Sequence, residues 1–136
     1  MALFEFDRPV VVNKEIGNCR RERVDLRLLV LQHIECEHPA QLRHFLARDG
    51  IDWTAVELDE GDPIPPLEGF DAMWVMGGPM DVWDEEEHPW LLEEKEAIRS
   101  WVVDLGRPFL GLCLGHQSVS YTHLRAHETR EDLVCR

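Results

Sequence analysis

The sequence predicts an α/β fold of three αβα layers around a mostly parallel sheet, and three observations support this. Four short apolar runs lack polar alternation, as expected for strands that are buried on both faces. Two segments with helically spaced apolar residues lie among them, giving the order β-α-β-β-α-β. Two glycine-rich turns directly follow strands, at the sheet edge where parallel sheets bind ligands.

The first half of the pattern contains two strands and one helix. A strand is predicted over Leu28–Leu31, and a second over Trp53–Leu58, before a proline-rich loop over Gly61–Gly69. A helix is predicted over Pro39–Asp49, because three apolar residues share one face and a glycine occupies the C-cap position: Leu42, Phe45, Leu46 and Gly50.

The second half repeats the alternation. A third strand is predicted over Ala72–Met76 and a fourth over Phe109–Leu114, each running into glycines. Pro89 is typical of a first helical position, and a helix is predicted from it to about Leu105. The apolar positions of this helix are Leu91, Ile98, Trp101, Val102 and Leu105.

Composition limits the classes of function. The chain has 136 residues, about one domain, with 14 Lys and Arg against 27 Asp and Glu, a net charge of −13. This charge argues against binding to nucleic-acid phosphates or to an anionic membrane surface. No apolar run has the length of a membrane span and no signal peptide is visible. Four irregularly spaced cysteines favour a reducing cytoplasm: Cys19, Cys36, Cys113 and Cys135.

The sharpest motif is the run from Gly111 to Gln117, with the sequence Gly-Leu-Cys-Leu-Gly-His-Gln. It has the form of a nucleophile elbow, with Cys113 on a tight strand-to-helix turn between two glycines. The glycines let strand and helix approach closely, and the helix N-terminus stabilises a thiolate. The backbone N–H of Leu114 is then available to an oxyanion.

Together with the run from Val75 to Met80, the segment from Pro108 to Gln117 resembles class I, triad-type glutamine amidotransferases. The likeness is greatest to the amidotransferase domain of GMP synthase and covers about residues 26–117. It implies a flavodoxin-like fold, without cofactor, that hydrolyses the glutamine side-chain amide through a cysteine thioester. The ammonia would pass to a synthetase domain or subunit.

The resemblance also implies the site residues. Cys113 would be the nucleophile, and the N–H groups of Gly78 and Leu114 would form the oxyanion hole. Gln117 and Gly77 would help to hold the substrate glutamine, and no metal is expected.

The resemblance ends before the other two members of the family's catalytic triad, of which Cys113 would be the first. The family uses a histidine and a glutamate two residues later, both far downstream, but no His-x-Glu follows Gln117. Residues Val119 to Thr129 match, in one reading frame, a translated sequencing-library adapter of the transposase type, and Asp132 to Arg136 match its continuation. We therefore expect residues 26–118 to be the N-terminal half of the domain, truncated and inactive, and 119–136 to be a non-native tail. Residues 1–25 have no periodicity and are expected to be a disordered or mis-started leader.

Two alternatives share this fold class. The cysteine could act on a γ-glutamyl peptide or amide instead of glutamine. Alternatively, Cys113 could be merely packed in a non-catalytic, doubly wound binding module.

Two other clusters have a functional and a structural interpretation. His33, Cys36 and His38 are possible zinc ligands, although a polar loop after the first strand is favoured. The acidic run from Asp81 to His88 could bind a divalent cation, although charge at a helix N-terminus is favoured. Four tryptophans are predicted to pack in the core and Trp83 to be exposed; the four are Trp53, Trp74, Trp90 and Trp101.

Overall fold

Four parallel strands form one sheet in the computed structural model, which describes residues 26–131 and, among them, the side chains of residues 26–122. The predicted leader lies outside the described residues. The strands are β1 (Arg27–Gln32), β2 (Asp52–Glu57), β3 (Ala72–Val75) and β4 (Phe109–Gly111). The helices are α1 (Leu42–Asp49), α2 (Trp90–Arg99), which continues as a π-helical turn (Ser100–Asp104), and α3 (Leu114–Glu131). Two short 3₁₀ turns, Leu58–Glu60 and Leu67–Gly69, lie between β2 and β3.

The strand order is β2-β1-β3-β4, which confirms the predicted parallel sheet. In register, Leu31 of β1 lies opposite Val56 of β2 on one side and Val75 of β3 on the other. Val75 in turn lies opposite Gly111 of β4. The chain winds outward in opposite directions from β1 and β3, so the carboxyl ends of these two strands form the topological switch point at which parallel sheets bind ligands.

The two faces of the sheet bury separate apolar clusters, which confirms the three layers. Leu29 and Leu31 point to the face covered by α2 and α3, where Ile98 and Trp101 complete the core. The alternate residues of β1 point to the other face, where Leu46 of α1 packs. Because β1 is buried on both faces, its sequence shows no polar alternation.

Several predicted boundaries were wrong. β4 ends at Gly111 and not at Leu114, because the chain turns sharply at Cys113, where φ is 50°. α1 begins at Leu42 and not at Pro39, because Ala40 has a φ of 46°, which no right-handed helix accommodates.

The predicted apolar faces of the helices were only partly right. Of the three apolar residues predicted on α1, only Leu46 is buried, while Leu42 is 36% and Phe45 50% exposed. The guanidinium of Arg48 lies over the Phe45 ring at 4.9 Å, which shields this ring at the surface. In the second helix Leu105 is 37% exposed, because it lies beyond the π-helical turn.

The predictions for the tryptophans are confirmed. Trp101 is completely buried and its indole N–H donates to the carbonyl of Pro108 at 2.9 Å. Trp83 is 65% exposed. The other three are partly buried and pack against the core: Trp53, Trp74 and Trp90.

Helix α3 crosses the boundary predicted after Ser118. Val119 is 4% exposed and belongs to the core cluster under α2, and Tyr121 packs near the Lys95 ammonium, 4.7 Å from its ring. The non-native origin of residues 119–136 stays a prediction.

Between residues 26 and 131, no helix combines the length and the apolar composition of a bilayer span.

Candidate active site

The turn between β4 and α3 presents Cys113 at the carboxyl edge of the sheet. Its backbone is left-handed, with a φ of 50°, and its side chain is exposed. The carbonyl of Cys113 accepts the N–H groups of His116 and Gln117, at 3.0 and 3.1 Å, and so starts the helix. A non-glycine residue in this conformation is strained, and such strain is concentrated at functional sites.

The flanking glycines are required by contact with neighbouring backbone. A Cβ on Gly115 would lie 2.4 Å from the carbonyl oxygen of Val75. A Cβ on Gly111 would lie 2.7 Å from the carbonyl carbon of Gly115. Strand and helix therefore touch through backbone atoms, as the elbow motif requires.

The second glycine turn lies directly against this elbow. A Cβ on Gly77 would be 3.5 Å from Cβ of Cys113, and a Cβ on Gly78 would be 3.0 Å from Cδ2 of Leu114. Within residues 26–122, the N–H groups of Gly78 and Leu114 donate to no protein acceptor. The structure thus packs the Gly77–Gly78 turn against the elbow formed by Cys113 and Leu114.

Gln117 and His116 lie on the first turn of α3, and both side chains are exposed. Gln117 is four residues after Cys113, and its backbone N–H donates to the carbonyl of Cys113 at 3.1 Å. Neither side chain makes a hydrogen bond to another described residue.

Glu37, which the sequence did not single out, also reaches the elbow. Its Oε2 lies 2.9 Å from the position that a Cβ on Gly77 would occupy, and Gly77 also borders Cys113. Since Glu37 is otherwise exposed, it places a negative charge at the mouth of the site.

Behind the glycine turn lies a fully buried pair, His33 and Glu94. His33 directly follows β1; its Nδ1 is 2.8 Å from the carbonyl oxygen of Gly77, and its Nε2 is 2.7 Å from Oε1 of Glu94. Since a carbonyl only accepts, Nδ1 carries a proton. The ring of Trp90 stacks on the imidazole at 5.4 Å.

The surroundings of His33 raise its pKa above the ordinary 6.5. Burial lowers the pKa, but the hydrogen bond to Glu94, the charge of Glu94 and the carbonyl of Gly77 together outweigh burial. The more distant charge of Asp59 acts in the same direction. The contacts that hold the ring therefore also favour its protonated form.

These contacts bear on the two possible metal sites. Both ring nitrogens of His33 are engaged, so His33 is not available as a partner for Cys36 and His38. In the acidic run, Asp84 accepts the N–H of Asp81 at 2.8 Å. Over the part of the chain that the structure describes, no three His, Cys, Asp or Glu side chains are grouped to hold a metal ion.

The thiol of Cys113 has no hydrogen-bonded base among the described side chains. From residue 26 to residue 122, no histidine hydrogen-bonds to its Sγ. His33 is turned away from it, towards Gly77 and Glu94.

The family model for glutamine amidotransferase class I matches residues 34–128, more than half of the chain. The chain belongs to the class I glutamine amidotransferase family. The match includes both glycine turns and Cys113, the features on which the sequence resemblance rested.

Solved structures agree with the family. A glutamine amidotransferase from Thermotoga maritima is similar with a TM-score of 0.69 and 26% identity, over 73% of this chain and 43% of that one. A glutamine amidotransferase from Methylobacillus flagellatus has a TM-score of 0.64 and 27% identity, over 73% of this chain and 39% of that one. The chain therefore spans about two fifths of the length of these relatives. No match was found among curated proteins.

Sequence reasoning missed Glu37 and Glu94 and gave His33 no role at the site. One signal was available for His33, since it follows a buried strand at the carboxyl edge of a parallel sheet. The signal for Glu94 was its spacing, three residues after Leu91 and four before Ile98, which puts it on the predicted apolar face of the second helix.

Proposed function

We propose that this chain supplies the nucleophile of a glutamine-hydrolysing site of the GMP-synthase-like type. The observation that carries the proposal is the strained, exposed Cys113 at the start of α3, with the Gly77–Gly78 turn packed against it. Membership of the amidotransferase family supports glutamine as the substrate.

The geometry supports a thioester mechanism. The thiolate of Cys113, which is the nucleophilic form of the side chain, attacks the side-chain carbonyl carbon of glutamine. An S–C bond forms and the carbonyl electron pair moves onto oxygen, where the N–H groups of Gly78 and Leu114 donate to it. When this intermediate collapses, the C–N bond breaks and the nitrogen leaves as ammonia after taking a proton. Water then cleaves the thioester, releasing glutamate and the thiol.

The remaining roles follow from position. Gln117, one turn along α3 from Cys113, and Gly77, which borders the thiol, would hold the bound glutamine. The mechanism calls for no cofactor or metal. We propose that the ammonia passes to a synthetase domain or subunit, and that the protein works in the cytoplasm.

We also propose that the 136-residue chain does not turn over glutamine. The proton that must move between the thiol and the leaving nitrogen has no carrier among the described side chains around Cys113. On this account residues 26–118 are the N-terminal half of the domain, and residues 119–136 are a tail of non-native origin, although Val119 packs in the core and the family match extends to residue 128.

The test is to read the source gene past the codon for Ser118 and to assay its product beside the 136-residue chain. A product that continues through a later His-x-Glu should release glutamate from glutamine, and Cys113→Ala should abolish the release. The matched control is Cys36→Ala, since Cys36 is the other exposed free cysteine among the described residues. Glutamate release by the 136-residue chain itself would contradict the proposed inactivity.

The same assay separates the two alternative functions. Faster cleavage of γ-glutamyl amides than of glutamine would favour a γ-glutamyl hydrolase. A product with no hydrolase activity, in which Cys113→Ser only lowers the melting temperature, would favour a binding module.

A further inference from the structure

The mechanism leaves His33 and Glu94 without a role, although both side chains are completely buried at the carboxyl edge of the sheet. Burial of an ion pair is a poor way to gain stability, because the loss of hydration offsets most of the attraction. The position of this pair, directly behind the Gly77–Gly78 turn, is therefore a feature to be explained.

The contact that matters is the one from Nδ1 of His33 to the carbonyl of Gly77, at 2.8 Å. The structure contains no cis peptide in its described part, so the peptide from Gly77 to Gly78 is trans. In a trans peptide the C=O and the following N–H point in opposite directions. Fixing the carbonyl of Gly77 towards His33 therefore fixes the N–H of Gly78 away from His33.

No other hydrogen bond to a described residue holds this peptide. Both of its residues are glycines, which rotate about their backbone bonds more freely than any other residue. The N–H of Gly78 donates to no acceptor within the described residues. A rotated peptide would present a carbonyl oxygen where the mechanism needs a donor, and would repel an oxyanion.

We infer that His33 is a positioning residue, which holds the Gly77 carbonyl so that the Gly78 N–H serves the oxyanion of the reaction at Cys113. Glu94 holds the ring in place through Nε2 at 2.7 Å, and Trp90 stacks on its face at 5.4 Å. The inference rests on the proposed function, because that function gives Gly78 its role as an oxyanion donor.

Two substitutions of His33 separate its two hydrogen bonds. In His33→Asn the side-chain nitrogen takes the place of Nδ1, so the bond to Gly77 is kept and the bond to Glu94 is lost. In His33→Gln the nitrogen takes the place of Nε2, so the bond to Glu94 is kept and the bond to Gly77 is lost. Both variants replace a ring by an amide, so a purely structural role would affect them alike.

The readout is the alkylation of Cys113 in the 136-residue chain, followed by mass spectrometry. A chloromethyl ketone analogue of glutamine reports on the oxyanion donors, because its ketone oxygen occupies their position while Sγ displaces chloride. Chloroacetamide, which lacks the amino-acid group, reports on the thiol alone. We expect the rate with the chloromethyl ketone, divided by the rate with chloroacetamide, to fall about tenfold or more in His33→Gln. In His33→Asn this ratio should stay within about threefold of its value in the parent.

The outcomes distinguish the inference from the function on which it rests. Equal ratios in the Asn and Gln variants would overturn the positioning role. The proposed function would still stand if the parent chain reacts preferentially with the ketone at Cys113. A parent chain that shows no preference for the ketone at Cys113 would overturn the proposed function itself. In that case the NMR signal of the Gly78 amide still tests the orientation of the Gly77–Gly78 peptide. Its chemical shift should change in His33→Gln and not in His33→Asn.

A measurement on the unmutated chain does not depend on the folding of either variant. With ¹⁵N-labelled histidine, Nδ1 of His33 should carry a proton that exchanges slowly with solvent. An Nδ1 without a proton would mean that no hydrogen bond holds the Gly77 carbonyl, and would overturn the inference.

Discussion

Gly115 lies against Val75 so closely that a Cβ on Gly115 would be 2.4 Å from the Val75 carbonyl oxygen and 2.8 Å from its Cβ. This relationship joins the first turn of α3 to the end of β3. It sets the distance between the elbow that carries Cys113 and the Gly77–Gly78 turn, since the latter begins two residues after Val75. The packing of one glycine is therefore tied to the shape of the site.

Gly115→Ala should destabilise the fold by about 3 kcal/mol, because the added methyl group meets backbone atoms that cannot rotate away. The measurement is a melting curve of the variant beside the parent chain. Gly69→Ala is the matched control, since its Cβ would meet no atom closer than 3.9 Å and its melting temperature should barely change. Equal melting temperatures for the two variants would contradict the close approach.

Stability should fall as the pH rises through the raised pKa of His33. The folded chain holds this proton more tightly than the unfolded chain, whose histidine titrates near 6.5. The stabilisation is thus complete below pH 6.5. It is lost as the pH rises from there through the pKa of the folded chain, where the ring loses the proton that Glu94 and Asp59 favour. Melting temperatures across this range should decline in the parent and decline less in His33→Asn. An identical slope in both would show that another group dominates.

Ala40→Gly should stabilise the chain by about 1 kcal/mol. Ala40 has a φ of 46°, a left-handed conformation that costs a residue with a Cβ about this much and costs glycine little. The control is Ala47→Gly within α1, which should destabilise by about 1 kcal/mol, because glycine there only adds freedom to the unfolded chain. Urea unfolding of both variants gives the two signs, and a loss of stability in Ala40→Gly would contradict the strain.

The charge of Glu37 should slow the approach of anions to Cys113. Glu37→Gln should raise the rate of alkylation by iodoacetate, relative to neutral iodoacetamide, by about two- to threefold at low salt. Glu35→Gln removes an equal charge from the same exposed loop and should change this ratio less. If the two substitutions act equally, the contact between Glu37 and the elbow has no effect on the thiol.

The sequence predicted the features that depend on local pattern. Unbroken apolar runs such as Leu28–Leu31 indicated a sheet buried on both faces, and the spacing of Gly111, Cys113 and Gly115 indicated the elbow. Both glycine turns were expected at the carboxyl edge, and they meet there.

What the sequence could not predict are contacts between distant segments. His33 and Glu94 are 61 residues apart. His33 follows a buried strand and Glu94 lies on the apolar face of its helix, but no local pattern pairs the two. Only the crossing of α2 over the end of β1 brings them together. The exposure of Phe45 was missed for a related reason, since periodicity identifies an apolar face but not how much of it the sheet covers.

The central claim, that Cys113 is the nucleophile of a glutamine site, is tested most directly by site-selective capture in the 136-residue chain. The chloromethyl ketone analogue of glutamine should label Cys113 with saturation kinetics, and free glutamine should slow this labelling. Cys36 should react with the ketone no faster than it reacts with chloroacetamide. Labelling of Cys36 and Cys113 at equal rates, without protection by glutamine, would contradict the claim.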